Sequence, residues 1–307
     1  MIKYLKHQDI NKEKWNLCIS KALNSSVYAI SDVLDITSPN WDALVLDDYQ
    51  AVFPLPWRKK LGKKYIYPPF FSTQLGLFAM QEMDMSLFLN AIPKKFFYQE
   101  IKSNTHFSTP ISFTVAKQNR TYYLDLSKSY TELVTEFSKN HKQNINKANQ
   151  NNLLLSKEGD VQPIIDLFRQ NKGHLSSFKI KDYQVLHQLI SHLRSIGKAE
   201  VWSVLDETNT LCAGGFFISD FNKTIFLFSG SNEIAKDLRA MFFLFDQYIK
   251  ENSSSNMVLD FGGSNDDNLA RFYAGFGSSA FYYDTICIDK MGQFEKLCVK
   301  IVRSIKK

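Results

Sequence analysis

Residues that can do chemistry concentrate in the stretch from Asn222 to Gly277, where one carboxylate is distinctively placed. Asp260 ends the short apolar run Met257–Asp260 and is followed almost at once by Gly262 and Gly263. A carboxylate at the end of a strand can accept a proton or orient an amine. The same residue type before glycines also forms turns and caps helices. The sequence leaves both interpretations of Asp260 open.

Positively charged side chains supply further candidates, here for a site that binds an anion. A guanidinium or ammonium group on a helix can bind phosphate, although such groups are more often simply solvated. The first candidates are Lys236, Arg239 and Arg271, and the second group is His141, Lys142 and Lys147. We expect the second group to bind an anion because it clusters on one predicted helix, Thr131–Gln150, between the two halves of the chain.

Periodicity indicates which elements position these residues. The β-rich run Thr224–Phe228 precedes Ser229-Gly230-Ser231. Apolar side chains then recur at the helical period, which predicts a helix over Ile234–Ile249 with Ser231 or Asn232 as its cap. The run that ends at Asp260 is a second strand, and a second helix stops at Gly275 and Gly277. Ligands of such βαβα units bind where strand ends meet helix N-termini. The small residues there are predicted to contact a substrate or donor, namely Ser229, Ser231, Gly262, Gly263 and Ser264.

The whole chain predicts an α+β fold in two halves, each a mixed twisted sheet flanked by helices. The first half ends with a strand at Lys94–Ile101 and a hairpin over Ile111–Leu126 that turns at Lys117–Arg120. After the Thr131–Gln150 helix the elements follow the order β-α-α-β-β-β-α-β-α-β, and the first half repeats this order approximately. We therefore predict domains at residues 1–128 and 129–307. The other predicted elements of the first half are a strand at Ile2–Leu5, a helix at Asn11–Leu23, strands at Trp41–Leu46 and Gln50–Trp57, and a helix at Glu82–Ala91.

Composition limits the class of protein and its partners. The chain has 307 residues, of which 44% are hydrophobic, so it can bury a large core. No apolar run approaches the roughly 18 residues that span a bilayer, and Met1–Asp9 lacks the apolar core of a signal peptide. We expect a cytoplasmic protein without a membrane span. The net charge of +6 indicates an anionic partner.

Cysteine and histidine spacing gives no metal or disulfide signal. The four cysteines, at positions 18, 212, 287 and 298, form no Cys-x-x-Cys pair, so we expect buried free thiols. His187 and His192 are five residues apart on one predicted helix, which places them on different faces, and no neighbouring carboxylate completes a ligand set. We predict no metal site.

The element order of the second half resembles the GNAT acyltransferase fold, and a tandem pair of such units resembles the FemAB/FemX family of peptidyltransferases that build peptidoglycan bridges. The resemblance rests on the residues Phe228–Glu233, Met241–Tyr248, Leu259–Ser264 and Asn268–Gly277. The polar residues 141–148 also resemble the basic helix that opens the second domain of that family. The resemblance covers most of residues 129–289, and the N-terminal half only in its order of elements.

The resemblance implies an acyl- or aminoacyltransferase that acts on the amine of an anionic, peptidoglycan-precursor-like acceptor. The implied donor is aminoacyl-tRNA or acyl-CoA, so tRNA is an implied partner. Asp260 would orient or deprotonate the amine. Tyr273 falls where the Leu-Tyr-x-x-x-Gly-Phe-like motif of GNAT enzymes places a tyrosine that protonates the leaving thiolate, although a core aromatic needs no such role.

The sequence departs from CoA-using GNAT proteins where those proteins hold the diphosphate. Their Gln/Arg-x-x-Gly-x-Gly/Ala loop presents backbone N–H groups, whereas Asn232–Leu238 occupies that place here. No glycine lies between Gly230 and Gly262, and Glu233 and Asp237 add negative charge. A CoA-dependent N-acetyltransferase with a degenerate loop is therefore the alternative function. A catalytically silent module that binds an anionic ligand in the same cleft is a further alternative.

Overall fold

The computed structural model describes residues 1–60 and 62–292. The strands are β1 (Ile2–Leu5), β2 (Trp41–Leu46), β3 (Ala51–Lys60), β4 (Lys63–Ile66), β5 (Phe78–Ala79), β6 (Phe96–Lys102), β7 (Val115–Asp125), β8 (Leu154–Ser156), β9 (Ala199–Leu205), β10 (Leu211–Asp220), β11 (Lys223–Ser231), β12 (Val258–Asp260) and β13 (Ser279–Asp289). The helices are α1 (Lys12–Lys21), α2 (Ser31–Thr37), α3 (Ser86–Ala91), α4 (Tyr130–Glu136), α5 (Lys139–Asn149), α6 (Val161–Asn171), α7 (Ile180–Ser195), α8 (Ile234–Asp237), α9 (Ala240–Asn252) and α10 (Asp267–Ala274). None of the helices in the described part of the chain is long and apolar enough to cross a bilayer.

The chain divides into two compact units. The first consists of Met1–Gln118 together with the described residues from Tyr283 to Gly292, and the second of Asn119–Tyr282. Both boundaries fall inside a strand, one in β7 and one in β13. The predicted division after residue 128 lies later in the chain than the boundary after Gln118, and it assigned the last strand wholly to the second domain. A division based on sequence order cannot anticipate that a C-terminal strand joins the first unit.

The first unit is a sheet in the order β1-β2-β3-β4-β6-β13, with β5 beside β3. Residues Thr285–Asp289 of β13 pair with β6, which places the end of the described chain in this sheet. The core of the unit contains Phe53, Phe88 and Phe96, and each of these side chains is fully buried. The predicted strands and the α1 helix are confirmed to within a few residues, while the helix expected from Glu82 begins only at Ser86.

The second unit is a sheet in the order β7-β12-β11-β10-β9-β8. Strands β11 and β12 are parallel, and the other neighbours are antiparallel. Helix α6 contacts β10 and β11, and α9 contacts β9 and β10. The core is rich in aromatic rings, and its fully buried members include Trp202, Phe217, Phe245, Tyr248 and Phe261. Each such side chain contributes about 1.5–3 kcal/mol through burial, so this packing fixes the unit.

The predicted hairpin at Ile111–Leu126 is wrong, because β7 runs straight through the expected turn. The polar residues of that turn find partners as members of a strand. Asn119 accepts a hydrogen bond from the amide of Asn265, and Arg120 donates to the Ser264 carbonyl and to Asp267. Polar residues in a strand are stable when a neighbouring loop satisfies them, and the sequence alone does not show that loop.

The long helix predicted at Thr131–Gln150 is also wrong, since it is two helices, α4 and α5. Phe137 takes an extended conformation, and its buried ring lies edge-on against Phe276 at 5.4 Å between centroids. Ser138 then starts the next helix by accepting a hydrogen bond from the His141 N–H. The break lets an aromatic side chain enter the core while a serine caps the new helix.

The helix predicted over Ile234–Ile249 is interrupted in the same way. Arg239 adopts a left-handed conformation with φ of 61°, which separates α8 from α9. The carbonyl of Leu238 at the break accepts a hydrogen bond from the Asn151 amide. A tertiary contact therefore satisfies a backbone group that a continuous helix would have satisfied itself.

Candidate active site

The centre of the candidate site is the point where the parallel strands β11 and β12 part. They pair over three residues only, from Lys223 with Val258 to Ile225 with Asp260. Strand β12 ends there, whereas β11 continues to Ser231 along β10. The edge of β11 beyond Ile225 that faces away from β10 is therefore not covered by β12. Such an edge offers backbone N–H and C=O groups to an extended ligand.

A glycine turn holds the two strands in this arrangement. Gly262 and Gly263 both have positive φ, 78° and 101°. A Cβ atom at Gly262 would lie 2.2 Å from the carbonyl oxygen of Phe226, which is a backbone atom of β11. Only glycine permits this approach. The predicted role of the two glycines in shaping the site thus has a geometric basis, although ligand contact by them stays a prediction.

Asp260 lies beneath this turn and is only 1% exposed. Its Oδ1 accepts hydrogen bonds from the Thr121 hydroxyl at 2.6 Å and from the Gly262 N–H at 2.9 Å. Burial raises the pKa of the carboxyl group, and the charge of Lys223 together with these two hydrogen bonds opposes the rise. These contacts are those of a turn-forming aspartate. They position the glycine turn, and a role of Asp260 as a base toward the acceptor stays a prediction.

Two residues near Asp260 were missed by the sequence analysis. Thr121 is fully buried and also accepts the Gly263 N–H at 3.2 Å, so one hydroxyl joins the carboxylate to the turn. Lys223 lies at the start of β11 with its Nζ 4.5 Å from the centre of the Tyr123 ring. Burial lowers its pKa, and the charge of Asp260 opposes that shift. Thr121 gave no signal because its strand was interpreted as a hairpin, and a single lysine at a strand start carries no motif.

The loop after the turn is tied to β7. The Ser264 N–H donates to the Arg120 carbonyl at 2.8 Å, and the Arg120 Nε donates back to the Ser264 carbonyl at 3.1 Å. Asp266 then caps α10 by accepting the N–H groups of the following residues. The hydroxyl of Ser264 is buried and has no hydrogen-bond partner in the described part of the chain. Contact of Ser264 with a ligand stays a prediction.

Helix α10 brings Tyr273 to the same place. Its ring stacks on that of Phe261, the residue directly after Asp260, with centroids 4.5 Å apart. The side chain is 6% exposed. Burial, and then the negative charge of Asp260, raise the pKa of the phenol well above its ordinary value, so the hydroxyl is protonated at neutral pH. Among the described residues this hydroxyl has no hydrogen-bond partner, and proton donation by it to a ligand stays a prediction.

Ser229 and Ser231 lie in strand β11 and not in the predicted loop. They pair with Gly215 and Ala213 of β10 and are half-buried. Gly230 between them faces α6, because a Cβ atom there would lie 2.2 Å from the Ile164 carbonyl oxygen. This glycine serves helix packing. The strand continues through these residues because α6 packs closely on the backbone, which the sequence does not reveal.

The predicted phosphate ligands do not converge on the turn. Lys236 is exposed on α8, and the Arg239 guanidinium donates to the Lys236 carbonyl. Arg271 is exposed on α10, where it donates to Asn268 and to the Asp267 carbonyl of its own helix. These local contacts are those of solvated helix residues, and phosphate binding by the three remains a prediction.

The three basic residues predicted as a group on α5, His141, Lys142 and Lys147, differ in their exposure. His141 is 4% exposed and packs edge-on against Phe242 and Phe276. Its Nε2 donates to the Phe272 carbonyl at 2.7 Å. Burial lowers the pKa of the imidazole, and this hydrogen bond opposes the shift, so the ring is neutral at neutral pH. His141 is therefore not part of an exposed basic surface, contrary to the prediction.

The two lysines of this group are more accessible. Lys142 is half-buried and its ammonium group donates to the Thr135 carbonyl at 3.0 Å, while Lys147 is exposed. Anion binding by Lys142 and Lys147 stays a prediction.

The residues after β11 do not fit the diphosphate of CoA. Helix α8 has only four residues, and Asn232 already accepts the Ala235 N–H at 2.9 Å. Glu233 and Asp237 are exposed on this short helix and add negative charge. An anion needs free N–H groups and positive potential at a helix start, and here Asn232 already takes up one N–H group while two carboxylates oppose an anion.

Several solved structures share the fold of this chain. FemX superposes with a TM-score of 0.64 and 13% identity, covering 92% of this chain and 97% of that one. A tandem GNAT protein from the clavulanic acid biosynthesis pathway gives 0.55 and 7% identity, with 95% and 100% covered. L-PGS from Bacillus licheniformis gives 0.54 and 12%, with 95% of each chain covered. No protein-family model matches the sequence, and no curated protein matches it. The chain therefore has the predicted α+β, tandem GNAT-like fold, of the type found in FemX.

Proposed function

We propose that the chain is an acyl- or aminoacyltransferase that acylates the amine of an anionic, peptidoglycan-precursor-like acceptor. One observation carries the proposal: the Tyr273 ring stacks on Phe261, the residue directly after the end of β12, and its hydroxyl has no hydrogen-bond partner among the described residues. The likeness of the fold to FemX and to a tandem GNAT protein supports the same assignment.

The transfer requires one bond to form and one to break. The acceptor nitrogen attacks the donor carbonyl carbon, the C–N bond forms, and the bond from that carbon to the leaving oxygen or sulfur breaks. The nitrogen loses a proton and the leaving atom gains one. In our proposal Tyr273 gives its hydroxyl proton to the leaving atom, and the tyrosinate so formed takes up the proton that the nitrogen loses, which restores the phenol. Asp260 is a positioning residue, because its carboxylate holds the Gly262–Gly263 turn and does not reach the surface.

The groups that the site offers indicate which donor it can bind. The residues after β11 do not suit the diphosphate of CoA, whereas aminoacyl-tRNA carries its acyl group as a ribose ester and has no diphosphate to place there. We therefore propose aminoacyl-tRNA rather than acetyl-CoA as the donor, and we expect acetyl-CoA to bind weakly or not at all. A micromolar or tighter complex with acetyl-CoA in calorimetry, lost when Lys236 and Arg239 are both changed to Gln, would support the CoA-dependent alternative instead.

The direct test is amide formation, measured by mass spectrometry with aminoacyl-tRNA or acetyl-CoA as donor and a nucleotide-linked muropeptide as acceptor. We expect Tyr273→Phe to lower kcat about 100-fold or more, as loss of a general acid does. Its melting temperature should not fall, because the hydroxyl has no partner among the described residues.

The matched control is Tyr248→Phe in the same aromatic core. The hydroxyl of Tyr248 bonds to the side chains of Thr224 and Ser219, so this variant should lose stability and keep kcat. No transfer with either donor would contradict the proposed function. Equal kcat in Tyr273→Phe and wild type would contradict only the role of Tyr273.

One observation favours a second candidate, a binding module without catalysis. The carboxylate of Asp260 is buried and its Oδ1 is occupied by two donors, so no described carboxylate at the turn is free to act as a base at the surface. Binding of the acceptor without turnover, in the presence of each donor, would identify this candidate.

A further inference from the structure

The tip of the β3–β4 hairpin in the first unit carries four ammonium groups, on Lys59, Lys60, Lys63 and Lys64, which we call the basic hairpin. Lys59 lies directly opposite Lys64, and Lys60 directly opposite Lys63. Like charges opposite each other across two strands destabilise a sheet. Lys59, Lys60 and Lys64 form no ion pair with any residue in the described ranges. The fold thus brings four lysines to this tip, and the charges of Lys59, Lys60 and Lys64 are not neutralised by an ion pair within the described ranges.

The positive surface continues beyond the hairpin. The exposed Lys94 and Lys95 lie just before β6, the strand that pairs with β4. Burial lowers the pKa of Lys95, the charge of Asp42 opposes this shift, and the charges of Lys64 and Lys6 add to it. Lys95 is thus within electrostatic range of two other lysines. Asp42, the carboxylate whose charge opposes this shift, is buried and accepts hydrogen bonds from the Tyr4 hydroxyl and the His7 N–H.

The aromatic rings of this surface are covered by the cations themselves. A cation above a ring face is attracted to it, and this contact orders the long side chain. The ring face under each cation is then closed to other partners. The contacts are Lys64 over Trp57 at 3.4 Å, Lys95 over Tyr4 at 4.1 Å, Lys63 over Phe97 at 4.3 Å and Arg58 over Tyr67 at 5.0 Å.

We propose that the basic hairpin docks the protein on the surface of an anionic lipid bilayer. Residues opposite each other in a hairpin share a face, so Lys59 and Lys64 lie on one face and Lys60 and Lys63 on the other. A hairpin tip that carries lysines on both faces can enter a layer of anionic headgroups and attract these headgroups on both faces. Lysines near such a surface each strengthen binding substantially.

Two observations favour a lipid surface over a nucleic acid. Proteins that bind single strands stack bases on open aromatic faces, whereas the rings here are covered by lysine and arginine side chains. Specific phosphate recognition favours the bidentate guanidinium, whereas the hairpin tip carries lysines and the nearby Arg58 lies over Tyr67 and Phe70. Diffuse attraction of hydrated ammonium groups to a charged plane fits this composition better.

The test is flotation of the full chain with vesicles of phosphatidylcholine alone and of phosphatidylcholine mixed with phosphatidylglycerol. We expect binding to the mixed vesicles only, and weaker binding as salt is raised. The double variant Lys59→Gln/Lys60→Gln should bind about 25-fold more weakly, since each lysine is worth about fivefold near an anionic surface. Both side chains are exposed, so the melting temperature should stay unchanged.

The matched control is Lys139→Gln/Lys181→Gln, which removes the same charge from two exposed positions in the second unit. This control should bind the mixed vesicles within about twofold of wild type if the hairpin is the docking surface. No binding to mixed vesicles, or an equal loss in both double variants, would overturn the proposal. Tighter binding to double-stranded RNA than to the vesicles, lost in the Lys59→Gln/Lys60→Gln variant, would also overturn it and assign the surface to a nucleic acid. None of these outcomes depends on the proposed transfer reaction.

Discussion

Replacement of Gly262 by alanine tests whether the approach of the glycine turn to β11 determines the shape of the candidate site. The residue has φ of 78°, and a Cβ atom there would lie 2.2 Å from the Phe226 carbonyl oxygen. The left-handed conformation costs a residue with a side chain about 1–2 kcal/mol. Relief of the contact requires backbone movement, which costs a further 1–3 kcal/mol or so. We expect Gly262→Ala to lower the free energy of unfolding by about 2–5 kcal/mol.

A second glycine separates the two contributions. Gly197 has φ of 70°, and a Cβ atom there would meet nothing within 4 Å. Gly197→Ala should therefore lose only the conformational part, about 1–2 kcal/mol. Both positions lie in the second unit, so the same unfolding transition reports on both variants.

The measurement is urea unfolding of both variants, with hydrogen exchange to identify the unit that opens. In Gly262→Ala the amides of β12 should also exchange faster than in Gly197→Ala, because β12 must move away from β11. Equal destabilisation of the two variants would refute the claim that contact with Phe226 constrains the turn. Unchanged exchange in β12 would refute the claim that this turn positions the strand end.

The other predictions concern the polar contacts around the site. Thr121→Val should lower the free energy of unfolding by about 1–3 kcal/mol, because Asp260 loses one of the two donors to its Oδ1. His141 has a lowered pKa, so the stability that its neutral form contributes is complete above the ordinary pKa of about 6.5 and is lost as pH falls through the folded value. His141→Gln should therefore reduce the fall of melting temperature with acidification. Lys142→Gln/Lys147→Gln should weaken binding of aminoacyl-tRNA and lower its dependence on salt concentration.

The Thr121 and His141 variants each have a control in an exposed position. Thr135→Val should change the free energy of unfolding by about 0.5 kcal/mol or less, so a similar effect of Thr121→Val would contradict the role of Thr121. His187→Gln should leave the pH dependence of melting unchanged, and the same outcome for His141→Gln would show that His141 is not the titrating group. An unchanged salt dependence in the Lys142→Gln/Lys147→Gln variant would make these two lysines ordinary surface residues.

The strand–helix alternation of the second unit was predictable from its residues. The β12 strand, the glycines after it and helix α10 have local causes: a short apolar run, residues free to take positive φ, and an apolar stripe stopped by Gly275 and Gly277. The parting of β11 and β12 was not predictable in this way. It depends on Phe226, whose carbonyl oxygen meets the turn from a distant part of the chain.

The incorrect predictions share one physical cause. Arg239 and Phe137 interrupt segments whose apolar period is helical, because a ring must enter the core or a distant side chain satisfies a freed carbonyl. Lys117–Arg120 has the composition of a turn but forms a strand, because Asn265 and Asp267 supply its hydrogen bonds. Of the predicted buried free thiols, Cys18 and Cys212 are buried and free, Cys287 is free but only half-buried, and Cys298 lies outside the described residues.

The sequence by itself determined the class of fold and the order of elements, since apolar periodicity, glycine stops and caps act within a few residues of each other. It also placed Asp260 at the end of the correct strand and Tyr273 in the correct helix. Only the tertiary structure decided what these side chains contact. The burial of Asp260 under Thr121, and the neutrality of His141 among phenylalanine rings, depend on desolvation by segments far away in the chain. Desolvation and long-range hydrogen bonds decide the chemistry of a side chain, and neither can be deduced from its neighbours in sequence.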